Sequence, residues 1–219
     1  MHTLKNKSVY LFAICLSALA GCVDAIGFLN LGGYFISFMS GNSTRLAVNL
    51  ITGNIPGIML VGAIIVLFVT GSMLGVLVRH FFKASAFISV LGFVTVLLTA
   101  AAISCEIGWD LMAVTFMTLA MGAENAIFYR NGDVVVGLTY MTGALVKVGQ
   151  RLAHAALGGS RFTWVPYMLL WLGLIAGGAA GTLLFYSLGL RSLWIAVIWS
   201  GLLTVIAILS KHRFSELGN

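Results

Sequence analysis

Two short polar stretches interrupt a sequence that is otherwise almost continuously apolar. The first, Phe38–Arg45, carries three hydroxyls, an amide and a guanidinium. The second, Tyr140–Ala144, is followed by Lys147 and Arg151. Polar side chains at membrane depth are costly and are kept where they face protein, a cavity or a substrate. Two such stretches in corresponding halves of one chain are typical of a transport site, although they do not identify the solute.

The composition indicates a membrane protein. The chain has 219 residues, of which 60% are hydrophobic and 8% are charged. Apolar runs of about 18 residues or more recur along it, and such runs predict membrane-spanning helices. The runs lack the alternation that is typical of barrel strands. We therefore expect an all-α polytopic membrane protein that contacts the lipid bilayer and has no soluble domain.

The charged residues and cysteines exclude several other classes of protein. The net charge is +6, but the cations lie at the ends of apolar segments, as topology signals do. We therefore expect no nucleic-acid partner. Cys15, Cys22 and Cys105 have neither metal-site spacing nor the pattern of a disulfide framework. No metal or cofactor is expected.

The apolar runs predict about six spans and two polar segments. The predicted spans cover residues 8–30, 57–78, 85–104, 108–129, 164–187 and 190–210. The polar segments cover residues 33–53 and 133–156. Their polar content predicts that they are broken or re-entrant rather than simple crossings.

An internal repeat divides the chain into a first membrane repeat, 1–105, and a second, 106–219. Three patterns recur in the same order, at offsets of 101, 102 and 106 residues: Val23–Ile26 with Glu124–Ile127, Met39–Gly41 with Met141–Gly143, and Gly71–Gly75 with Gly177–Gly181. Repeats of this kind are common in transporters. We expect the two repeats to form one integral membrane domain.

The distribution of basic residues predicts the topology. If all eight segments crossed, Arg79 and Lys83 would lie outside, against the positive-inside bias. If the two polar segments instead enter and leave on one side, Glu106, Asp110 and Arg191 lie outside. The cytoplasmic side then holds Lys5, Lys7, Arg79, Lys83, Arg130, Arg161, Lys211 and Arg213. This arrangement has six spans, inverted repeats and cytoplasmic termini, and eight crossings are the alternative.

The first half contributes the strongest candidates for a binding site. Asp24 is either an ion or proton ligand or a structural partner of Arg45. Asn42, Arg45 and Asn49 have the spacing of one helical face. Arg45 is either a substrate contact, since a guanidinium binds carboxylate or phosphate oxygens, or an interfacial anchor.

The second half contributes equivalent candidates. Glu124 and Asn125 correspond to the Asp24 region, although Glu124 could instead pair with Arg130 at the membrane boundary. Lys147 belongs either to the site or to the headgroup layer. The full set of candidate substrate- or ion-binding residues is Asp24, Ser40, Asn42, Thr44, Arg45, Glu124, Asn125, Thr142 and Lys147.

Four motifs resemble the YoaK-like bacterial membrane proteins. They are Gly21–Ile26, Phe35–Thr44, Met121–Ala126 and Thr139–Leu145. Ser40 stands where that family usually has Thr, and Glu124 stands where it usually has Gln. The resemblance covers nearly the whole chain. It implies a multi-pass protein of the bacterial inner membrane, and it implies no substrate because the family is a domain of unknown function.

The leading hypothesis is a small-solute or ion transporter or channel with its site at the repeat interface. The alternative is a scaffold or subunit that binds a partner through the glycine-rich helix faces around Gly71 and Gly177. A homo-oligomer is compatible with either. Catalytic motifs and nucleophile–base pairs are absent from the sequence, so we do not expect an enzyme.

Overall fold

The chain is an all-α polytopic membrane protein. The computed structural model describes residues 7–130, 133–134 and 137–210. Within them the helices are α1 (Lys7–Asn30), α2 (Met39–Thr52), α3 (Ile55–Phe81), α4 (Ala86–Glu106), α5 (Asp110–Glu124), α6 (Met141–Ala156), α7 (Val165–Leu188) and α8 (Leu193–Leu209). A two-residue strand β1 (Tyr129–Arg130) pairs antiparallel with β2 (Asp133–Val134) between α5 and α6.

Four of the described segments are long and apolar enough to cross a membrane. They cover residues 8–30, 55–81, 86–106 and 165–209, and the last contains both α7 and α8. The predicted span at 108–129 is a helix of 15 residues that ends at Glu124 and continues in a turn. The number of crossings therefore stays a prediction.

The two polar segments form short helices, each packed against the long helix that follows it. Helix α2 has 14 residues and α3 has 27. Gly53, with a φ of 70°, ends α2, and the Asn54 side chain caps α3 by accepting a hydrogen bond from Gly57 N–H. Helix α6 packs on α7 in the same way. The helix in the predicted polar segment 33–53 begins only at Met39, and the helix in the segment 133–156 begins only at Met141.

Glycines set two close helix contacts, α1 with α7 and α3 with α5. A Cβ built on Gly177 would overlap the backbone of Ala18, and one on Gly181 would overlap that of Cys22. Residue numbers rise together along the contact, so α1 and α7 run parallel. Small residues of this kind let membrane helices approach to backbone contact.

The contact between α3 and α5 repeats that between α1 and α7. A Cβ on Gly71 would overlap the carbonyl oxygen of Leu119, and one on Gly75 would lie 2.8 Å from that of Ala123. The residues of this contact are related to those of the first by the sequence offsets of 106 and 101. The two contacts are therefore equivalent in geometry as well as in sequence.

The ends of the helices define two ends of the molecule. At one end, the ring of Phe87 at the start of α4 contacts Phe12 of α1 and Phe128 after α5. At the other end, Arg191 pairs with Glu106 at 3.4 Å. The α3–α4 loop, with Lys83, lies at the first end. Lys5, Lys211, Arg213 and the side chains of Lys7 and Arg130 lie outside the described residues, so their predicted placement is untested.

We expect positions 80 and 107 to lie on opposite sides of the membrane, because α4 separates them. In a variant without the three native cysteines, His80→Cys should react with an impermeant thiol reagent only from the cytoplasm, and Ile107→Cys only from outside. Labelling of both from one side, or of position 80 from the periplasm, would contradict the six-span topology.

Substitution at the glycine contacts should lower stability. Gly71→Ala forces a methyl group into the Leu119 backbone, and overpacking of this kind costs about 1–3 kcal/mol. Gly62→Ala on the same helix is the matched control, because nothing lies within 4 Å of its Cβ position. Thermal unfolding in detergent should show a lower midpoint for Gly71→Ala and none of this loss for Gly62→Ala. Equal midpoints would show that α3 and α5 do not pack this closely.

Candidate functional site

The short helices α2 and α6 are called half-helices below. Their starts line one cavity of about 220 Å³. Its lining residues come from around the start of α2 and from α3 in the first half, and from around the start of α6 in the second half. They are Ser37, Phe38, Met39, Ser40, Phe68, Thr139, Tyr140, Met141, Thr142 and Gly143. Ser40, Tyr140, Thr142 and Gly143 are exposed, so the cavity is a cleft open on one side. The structure thus brings together two motifs that are about a hundred residues apart in sequence.

The cavity lies at the middle of the long helices. Phe68, which lines it, is the central residue of the 27-residue α3. Helix α2 runs from the cavity to the turn before α3, antiparallel to the first half of α3. A helix of this length is long enough to cross the hydrocarbon core, so we expect its central residue near the midplane of the bilayer. The backbone around the cavity must therefore find its hydrogen bonds within the protein.

Asp24 and Asn42 supply those hydrogen bonds in the first half. Asp24 Oδ1 accepts from the backbone N–H of Ile36 at 2.8 Å and of Ser37 at 2.6 Å. The fully buried Asn42 accepts from Phe35 N–H at 3.1 Å and donates to the Phe35 carbonyl at 2.7 Å. These two side chains hold the irregular segment that leads into α2, and neither lines the cavity.

Asn125 has the equivalent position in the second half. Its Oδ1 accepts from the Thr139 hydroxyl at 3.1 Å, and its Nδ2 donates to the Met121 carbonyl at 3.0 Å. Asn125 therefore ties the end of α5 to the cavity wall. Ser17 of α1 lies 4.0 Å from the Met141 sulfur and donates to the Leu170 carbonyl, which places α1 beside the start of α6.

Three polar candidates lie away from the cavity. The guanidinium of Arg45 stacks over the Tyr34 ring, 5.1 Å from its centroid, and Lys147 lies 5.3 Å from the centroid of Tyr167. Thr44 is exposed and donates to the carbonyl of Ser40. Cation–π contacts of this kind anchor the side chains on their own half of the molecule. Of the nine candidates, Ser40 and Thr142 line the cavity.

The expected partnership of Asp24 with Arg45 is wrong. The carboxylate of Asp24 is occupied by backbone N–H groups, and Arg45 contacts an aromatic ring instead. An ion pair that the structure does form joins Glu106 to Arg191. The physical reason is that the N–H groups before α2 have no other acceptor at this depth, so they take the nearest carboxylate.

Glu124 lies in the interior and not in the cavity. Its side chain is fully buried, and among the described residues neither carboxylate oxygen has a hydrogen-bond partner. The alternative pairing with Arg130 stays untested, because the Arg130 side chain lies outside the described residues.

Ser37, Thr139 and Phe68 line the cavity although they were not among the candidates. Ser37 and Thr139 could have been found from the repeat. Each half reads hydroxyl, aromatic, Met, hydroxyl: Ser37–Ser40 in the first and Thr139–Thr142 in the second. Phe68 has no such signal, because its place in the lining comes from the tertiary position of α3.

Comparisons with known proteins place the chain among membrane proteins without an assigned activity. Residues 12–206 match the family described as "Protein of unknown function (DUF1275)". A UPF0700 transmembrane protein of Rhizobium meliloti (strain 1021) is 38% identical over 201 residues, covering 92% of this chain and 87% of that protein. No solved structure matches. These matches support the expected uncharacterised membrane family, whereas the YoaK-like name stays a resemblance.

Asp24 and Arg45 should contribute independently to stability. Asp24→Ala removes a charge-assisted acceptor from two backbone donors and should cost about 1–3 kcal/mol. Because Arg45 has a different partner, the losses of Asp24→Ala and Arg45→Ala should add within about 0.5 kcal/mol in the double variant. Thermal unfolding of the three variants in detergent measures this, with Asp24→Asn as the milder control. If the double variant were more stable than Asp24→Ala alone, the result would contradict independent roles and would support an ion pair between Asp24 and Arg45.

Proposed function

We propose that this chain, which belongs to the DUF1275 family of proteins of unknown function, is a small-solute or ion transporter or channel. The observation that carries the proposal is the cavity beside the central residue of α3, formed by the starts of α2 and α6. Broken helices that meet near the midplane at the interface of two repeats are the usual architecture of a transport site.

The chemistry of the lining supports a polar solute. Four Ser and Thr hydroxyls surround the cavity, together with two methionine sulfurs, the phenol of Tyr140 and the rings of Phe38 and Phe68. The four hydroxyls are those of Ser37, Ser40, Thr139 and Thr142. None of the described lining residues has a formal charge. A multiply charged ion would lose its hydration there without a counter-charge, so the lining favours a neutral polar solute or a monovalent ion.

The size of the cavity supports a small substrate. About 220 Å³ corresponds to about seven water molecules at roughly 30 Å³ each. Pockets for drug-sized ligands occupy about 300–1,000 Å³. The cavity therefore suits a solute of a few heavy atoms or a partly hydrated ion.

The charges beside the two half-helices differ. Helix starts carry a partial positive charge from their free N–H groups. Asp24 offsets this charge near α2, whereas the amide of Asn125 leaves it uncompensated near α6. We infer that the α6 side of the cavity is the better place for an anion or for the negative end of a polar solute.

We further propose that the chain lies in a bacterial inner membrane with inverted repeats, so that the end carrying Lys83 is cytoplasmic. The equivalent contacts of α1 with α7 and of α3 with α5 support two related halves. The α3–α4 loop, with Lys83, and the segment before α7, with Arg161, lie at the same end of the molecule. Basic residues are enriched on the cytoplasmic side, so their position at this end supports the proposed orientation.

Filling the cavity should block transport without unfolding the protein. Gly143 lines the cavity and nothing lies within 4 Å of its Cβ position, so Gly143→Leu adds a side chain there without a clash. Gly149→Leu is the matched control, since Gly149 is an exposed glycine on the same helix with the same free space and lies outside the lining. Both changes favour helix formation by up to about 1 kcal/mol.

Flux into proteoliposomes measures the effect, with chloride, potassium, glycerol and urea as the first probes. A transported probe should enter with the parent protein and with Gly149→Leu, and at least about tenfold more slowly with Gly143→Leu, a loss of about 1.4 kcal/mol. Equal flux in both variants would show that the cavity is not the path. Absence of flux for a wide panel of solutes would favour the scaffold function instead.

A further inference from the structure

Glu124 is an unused carboxyl in the core of the membrane domain. It is the last residue of α5, and its side chain has no exposed surface. Among the described residues neither carboxylate oxygen accepts or donates a hydrogen bond. It does not line the cavity, so the proposed transport site gives it no role.

The fold does not require a carboxyl at this position. The repeat aligns Glu124 with Val23 at the offset of 101 residues, and Val23 is also fully buried. Asn125, which aligns with Asp24, supplies the hydrogen bond that ties α5 to the cavity wall. Glu124 therefore replaces an apolar side chain at a place where packing alone would suffice.

The described groups that face Glu124 from the neighbouring helices give its carboxyl no hydrogen bond. From α3, Arg79 donates to the carbonyl of Ile127, 3.4 Å away, and not to the carboxyl; His80 follows it at the exposed end of the helix. Helix α4 has no titratable side chain between residues 86 and 104. The described titratable side chains of α1 are Tyr10, Cys15, Cys22 and Asp24, and Asp24 binds the segment before α2.

We propose that Glu124 is a proton-binding site coupled to the wall of the cavity. An ionised carboxylate without a donor is several kcal/mol less favourable in a low-dielectric interior than the neutral acid. In the conformation described here Glu124 therefore holds one proton. Releasing that proton to water leaves a carboxylate, which must move to reach water or a cation.

The coupling runs through the next residue. Asn125 adjoins Glu124 in the chain and accepts the Thr139 hydroxyl, and Thr139 lines the cavity. A movement of Glu124 towards water would displace Asn125 and with it this part of the wall. A proton on Glu124 thus favours the arrangement of the wall described here, and loss of the proton favours another, as linkage between two sites requires. This proposal stands whether or not the cavity transports a solute.

Vibrational spectroscopy of the full chain tests proton binding directly. Glutamate labelled with ¹³C at the side-chain carboxyl marks three positions, Glu106, Glu124 and Glu216, and leaves the aspartates unlabelled. At neutral pH the labelled protein should show the carbonyl band of a protonated carboxylic acid. The band should persist in Glu106→Gln, the exposed matched control, and be lost in Glu124→Gln. Glu124→Leu provides a second variant if the amide does not fold.

Absence of the labelled acid band from the parent protein at neutral pH would overturn the proposal, and so would its persistence in Glu124→Gln and Glu124→Leu. Because this measurement needs no solute, its failure is distinct from failure of the flux assay.

Thiol modification tests the coupling. In a variant without native cysteines, Thr142→Cys reports access to the cavity through its rate of reaction with a methanethiosulfonate reagent. The ratio of this rate with Glu124 intact to the rate after Glu124→Gln should change with pH. The same ratio for Gly149→Cys, outside the cavity, should stay constant. A ratio for Thr142→Cys that is independent of pH would disprove coupling of Glu124 to the cavity.

Discussion

The structure depends on the need to satisfy backbone hydrogen bonds inside a membrane. Residues 35–38, which lead into α2, are non-helical near the middle of the domain, where lipid offers no hydrogen-bond partner. The side chains of Asp24 and Asn42 accept hydrogen bonds from the backbone N–H groups of three consecutive residues, Phe35, Ile36 and Ser37. Because these bonds fix the segment before α2, they also fix where α2 begins and where the cavity forms.

Close packing at glycine provides the frame that brings the two halves together. The backbones of α1 and α7, and those of α3 and α5, approach so closely that a methyl group would overlap the opposite carbonyl at Gly177 and Gly71. Each long helix of one half is thus paired with a helix of the other. Each half-helix packs against the long helix that comes after it in the chain, α2 on α3 and α6 on α7. The starts of α2 and α6 meet at the cavity because the long helices are held together at these glycine contacts.

The two halves use the same geometry with different chemistry. A carboxylate anchors the segment before α2, whereas an amide anchors the residue that precedes α6 by two positions. Conversely, the buried acid of the second half, Glu124, aligns with a valine in the first. These two departures from symmetry concern charge.

Hydropathy and the spacing of polar and small residues were enough to determine the class of protein, most helices and the positions of the two polar segments. These features are local, since they follow from which side chains lipid tolerates and from the period of a helix. The glycine patterns also identified the helix faces that pack, although not their partners.

Only the tertiary structure decided the roles of the polar side chains. Asp24, Asn42 and Asn125 serve as backbone anchors, while Ser37 and Thr139 share the cavity with Ser40 and Thr142. A sequence gives the donors and acceptors but not their distances, so it could not show that Arg45 would stack on Tyr34 and leave Asp24 to the backbone. Phe68 of α3 lines the cavity beside the starts of α2 and α6, which depends on contacts between residues far apart in the chain.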